Sequence, residues 1–128
     1  MIRLATASLA AQAVGLAALA IWLLADPHSF YAEIPGVAES GPLNAHLLRD
    51  LGLTYLTFAL ASAAALTQRT EAPLITVLIA GFFVMHAALH ASTEATFGNA
   101  QLFLREAPGV YGLALAAIAV AVSQHRFK

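Results

Sequence analysis

LITVLIAGFFVMHAALHAS, residues 74–92, runs for 19 residues with no ionisable side chain except its two histidines, His86 and His90. A helix of about 20 residues crosses the roughly 30 Å hydrocarbon core of a bilayer, so the stretch reads as a transmembrane helix. Three more apolar segments of similar kind lie at about 4–25, 47–68 and 109–124. All are rich in Ala and Leu and lack the polar/apolar alternation of a membrane β-strand. The expected fold class is an all-α membrane protein. One domain, residues 1–128, forms an antiparallel bundle of four transmembrane helices with a long outer loop between spans one and two.

Composition agrees. The chain is 60% hydrophobic and 10% charged, against about 45–50% and about 25% for an ordinary soluble domain. A net charge of -1 excludes a basic nucleic-acid binder. Without cysteine there is no disulfide, thiolate nucleophile, redox pair or thiolate metal site. Met1 and Met85 are the only thioethers, too few for a methionine-lined Cu(I) path. The first apolar run follows Arg3 as a signal peptide would, but exceeds the about 7–15 residues of such a segment, so it reads as a retained helix.

Orientation follows from the basic residues. Four spans put Arg3, Arg69, Arg126 and Lys128 on one side, Arg49 and Arg105 on the other. The positive-inside rule then makes both termini and the turn at 69–73 cytoplasmic, in a bacterial cytoplasmic membrane. In the outer loop, Asp26-Pro27 has the form of an N-cap followed by proline at the first helical position, opening a short helix to about Glu33. Asn44 suits the N-cap of span two. Residues 100–106 read as a short interfacial helix ended by Pro108. Two stripes of small residues, Ala7, Ala11, Gly15 and Ala18, then Gly109, Gly112, Ala116, Ala119 and Ser123, suit close helix contact within the bundle or between copies.

On this topology Asp26, Glu33, Glu39, Asp50, Glu94 and Glu106 are external, leaving Glu71 inside, and four of the five histidines lie toward the outer face. Residues four apart share a helix face. His46, Asp50, Thr54 and Thr57 make a polar stripe on span two, and His86, His90 and Glu94 make another on span three. The short turn between these spans sets the stripes opposite each other. Imidazoles at i and i+4 with carboxylates nearby are donors for a transition metal such as Cu, Zn or Fe. The candidate ligands are His86, His90, His46, Asp50 and Glu94. Haem fits less well, because two histidines on one helix face cannot grip opposite sides of one macrocycle.

Simpler readings of the same residues exist. His90 and Glu94 can pair at the interface, Asp50 can pair with Arg49 or Arg105, and His86 can donate to Thr54 or Thr57, as polar side chains do between membrane helices. Taken singly, His28 and His46 read as solvated surface histidines. An unmetallated proton-handling site is a further alternative.

The segment GPLNAHLLRDLGLTYLTFALASAAAL, residues 41–66, with HAALHAS, residues 86–92, resembles a group of small bacterial four-span proteins that is broadly DoxX-like. The matching residues are Asn44, His46, Arg49, Asp50 and Gly52, then His86 and His90. The resemblance implies a four-helix bundle and, in some members, respiratory or quinone chemistry. The expected function is therefore transition-metal binding in an outward-facing pocket between spans two and three, for metal-dependent redox chemistry or metal handling. The alternatives are a non-catalytic accessory subunit of a respiratory or quinone complex and a small proton or solute transporter. Expected partners are the lipid bilayer and a second copy or a larger membrane complex, with no nucleic acid.

Overall fold

A computed structural model describes the backbone of residues 2–97 and 100–126, and side chains over 3–93, 101 and 103–125. The described residues form helices α1 (Ile2–Ala25), α2 (Pro27–Glu33), α3 (Ala45–Thr67), α4 (Ala72–Phe97) and α5 (Ala100–Arg126), with a 3-10 turn at Ala38–Ser40 and no strand. Four of these helices are long and apolar enough to cross a membrane, over Arg3–Ala25, Ala45–Thr67, Ala72–Thr93 and Phe103–His125.

Local sequence sets the starts of α2 and α3. The Asp26 carboxylate accepts from the Ser29 N–H at 3.0 Å, with Pro27 in the first turn, where its missing N–H has no helical partner to lose. The Asn44 side chain accepts from the Leu47 N–H at 3.0 Å.

The expected break at Pro108 does not occur, since α5 runs unbroken from Ala100 with proline in its interior. The Leu104 carbonyl loses its i+4 donor there, a loss membrane helices absorb through neighbouring groups and small local adjustments. The consequence is chemical: Arg105 and Glu106, expected in a separate interfacial helix, belong to the fourth span.

Close pairing joins α1 to α3 and α4 to α5, and lighter α1–α5 and α3–α4 contacts close the ring. The α1–α3 pair is antiparallel: Arg69 donates to Thr6 Oγ1 at 3.0 Å, Gln12 donates to Ser62 Oγ at 3.0 Å, and Gly52 lies against Leu23 and Leu24. At the other junction Gln124 donates to the Ala5 carbonyl at 2.8 Å, and the Ser8 and Ser123 hydroxyls lie 3.1 Å apart. Between α3 and α4 the aromatic rings of Tyr55, Phe58, Phe82 and Phe83 make the core, with Phe58 and Phe82 edge to face at 5.0 Å.

Burial is distributed as a bilayer requires. Ala5, Ala13, Ala20, Ala59, Ala80, Ala87, Ala114, Ala117 and Ala121 are buried between helices, whereas Val14, Leu60, Leu78, Met85, Leu104 and Leu115 point outward. In water such a surface would be an aggregation patch. In lipid the large side chains match their solvent, and small residues at the contacts bring backbones close. The small-residue stripe expected to make those contacts on α1 is instead exposed, with no neighbouring atom within 4 Å of a Cβ placed on Gly15. The packed face is Leu9, Ala13, Leu16, Ala20 and Leu23. An alanine-rich helix offers small residues on several faces, so spacing does not select among them.

Candidate polar site on α4 and α5

Helix α4 presents Phe82, His86 and His90 on one face, four residues apart. The His86 ring lies parallel to Phe82 at 6.1 Å and meets the His90 ring edge to face at 4.7 Å. His90 Nδ1 lies 2.8 Å from Glu106 Oε2 of α5. A carboxylate only accepts, so Nδ1–H is the donor, and in a neutral imidazole the lone pair is then on Nε2. His86 and His90 both lie within the apolar span described over Ala72–Thr93.

The Glu106 carboxylate is buried, at 6% exposure, and the chain between α2 and α3 is what covers it. Gly36 has φ +89°, a conformation that L side chains rarely adopt, and a side chain at this position would collide with the carboxylate. Three contacts hold the loop there. The Gly36 N–H donates to Glu39 Oε2 at 3.1 Å, Arg105 donates to Glu39 Oε1 at 3.3 Å, and the Tyr31 hydroxyl donates to the Gly41 carbonyl at 2.8 Å. Among the described residues the covered carboxylate has its only charge-bearing partner in His90, the arrangement in which a charge-assisted hydrogen bond is strongest.

The expected ligands divide. His86 and His90 are together. His46 and Asp50 are paired with each other, Nε2 to Oδ2 at 3.5 Å, on the exposed face of α3. The Thr54 and Thr57 hydroxyls turn back to the carbonyls of Asp50 and Leu53. The expected facing of the two stripes is thus not what the fold provides: the α3 stripe looks away from the bundle, because Gly52, Tyr55, Ala59 and Ser62 take the inner face. The α4 backbone carries Glu94 one turn beyond His90, but its side chain lies outside the described residues. Among the described residues no three of His, Cys, Asp and Glu form a group placed to hold one metal ion. Of the simpler pairings, Asp50 joins His46 and Arg105 joins Glu39, while the His90–Glu94 pairing lies outside the described residues.

Glu106 is the candidate site residue that the sequence concealed. Reading Pro108 as a helix end put this carboxylate in a surface segment. Read as part of a span, it is a buried acid at membrane depth, which by default marks a site. No family model, curated protein or solved structure matches the chain, so the likeness to DoxX-like proteins rests on its motif residues alone.

Proposed function

We propose that this integral membrane protein binds a transition-metal ion through His86 and His90, with Glu106 fixing the His90 ring from behind. The observation that carries the reading is the 2.8 Å bond from His90 Nδ1 to a buried carboxylate. Carboxylate–histidine couples of this form orient metal-binding imidazoles, set the tautomer and raise ligand basicity. The donor set fits the group: two imidazoles on one face, 4.7 Å apart, suit Zn, Cu(II) or Fe. Glu94, one turn further along α4, is the natural third donor. His46 and Asp50 stand apart from this set.

In this reading the metal would supply Lewis acidity or redox chemistry, and its use is metal-dependent oxidation or metal handling. Phe82 stacks on one side of His86, and the loop at Gly36 covers Glu106. The distribution of Arg3, Arg69, Arg126 and Lys128 against Arg49 and Arg105 supports a site toward the outer leaflet of a bacterial cytoplasmic membrane, with both termini cytoplasmic. A proton-handling couple without metal is the second reading, favoured by the burial of Glu106 beside a single imidazole.

Metal affinity of a Glu106→Gln variant separates the two. If Glu106 orients a ligand, zinc affinity measured by competition with a chromophoric chelator falls about 10- to 100-fold. Unchanged affinity in a folded variant contradicts the orienting role.

A further inference from the structure

The outward face of α3 is a second, unclaimed surface. His46, Asp50, Leu53, Thr57 and Leu60 are exposed and recur at spacings of four, three, four and three, the seam of a heptad. Two of the five are apolar, three are polar, and Arg49 flanks them, also exposed. The His46 side chain is 89% exposed and that of Asp50 is 54% exposed, in the first two turns of the apolar span that starts at Ala45. Arg49 has no partner among the described residues. Ionisable side chains in a span almost always face protein or water, and the exposed Leu53 and Leu60 continue this same face toward the middle of the span.

We propose that α3 packs against α3 of a second copy along this seam, across a two-fold axis parallel to the membrane normal. Two copies inserted with the same topology present their α3 helices in parallel. A heptad seam then gives the left-handed crossing of about 20° that is common among membrane helices. An isologous contact brings each seam residue to its own symmetry mate. Leu53 and Leu60 supply the packing. Arg49 and Asp50 are adjacent and of opposite sign, so each arginine reaches the partner's Asp50 and the four charges neutralise one another. This self-complementarity singles out a second copy as the occupant. The pairing does not depend on metal binding at His86 and His90.

The absence of cysteine makes the test clean. Single cysteines at Leu53 and Leu60, and at Val14, Leu78 and Leu115 as exposed controls on the other spans, are oxidised in native membranes with molecular iodine. The expected result is covalent dimer at Leu53→Cys and Leu60→Cys, at least tenfold above the controls. Asp50→Arg is expected to abolish it and the exchange Arg49→Asp/Asp50→Arg to restore it. Equal yield at all positions, dimer at Val14 or Leu115 instead, a product containing a different protein, or no product overturns the proposal. Light scattering of the unmodified chain in detergent gives an independent mass, and a monomer there together with no cross-link is likewise decisive against it.

Discussion

At the scale of single residues, Gly36 and Glu106 are one device. The loop backbone approaches the carboxylate so closely that only glycine fits, and the φ of +89° makes the same demand independently. Gly36→Ala therefore incurs backbone strain of about 1–3 kcal/mol and must also displace either the loop or the Glu106 carboxylate. The expected outcome is a folded protein with lower resistance to denaturation in detergent and faster hydrogen exchange over 34–41, measured by mass spectrometry. Unchanged exchange would mean the loop does not seal the carboxylate. None of this was legible in the sequence, where Gly36 reads as an ordinary loop glycine and Glu106 as a surface acid. Their contact is long-range, and no local pattern encodes it. His86 and His90 were legible, because ionisable residues inside an apolar run are conspicuous against their neighbours.

Among the helices, what was readable depended on whether the deciding chemistry is local. Caps are local: Asp26 and Asn44 make the bonds their positions call for. Asn44→Ala is accordingly expected to destabilise the protein by about 1 kcal/mol, read as a lower midpoint in a dodecyl-sulfate unfolding titration, with the α3 helix preserved by circular dichroism. Pro108 shows the opposite case. In water an interior proline ends a helix, but neighbouring helices and an apolar surround let α5 continue, and that continuation carries Glu106 to His90. The rotation of α3 was likewise beyond local reading. Its polar stripe and its small-residue face compete for the interior, and Gly52, which lies against Leu23 and Leu24, decides for the latter.

For the whole molecule, the alanine interior and leucine exterior make lipid the fitting solvent, and this was legible from composition and segment length alone. The order of helix neighbours was not, because α1 pairs with α3 and α4 with α5 while the short α3–α4 connection suggested a tighter contact. Orientation gives a prediction at this scale. Ser40→Cys, in the loop that covers Glu106, is expected to react with a membrane-impermeant maleimide in intact cells, and Thr70→Cys, between α3 and α4, only after lysis. The reverse pattern would put the polar site at the cytoplasmic face. Thiol labelling of either alone suffices, since the chain has no competing cysteine.

We propose that His86 and His90 hold a metal. Elemental analysis of the protein purified in mild detergent without chelators tests it most directly, beside a His86→Ala/His90→Ala variant that elutes at the same volume. The expected result is close to one transition-metal ion per chain in the native protein and loss of nearly all of it in the variant. Equal, substoichiometric metal in both proteins would contradict it.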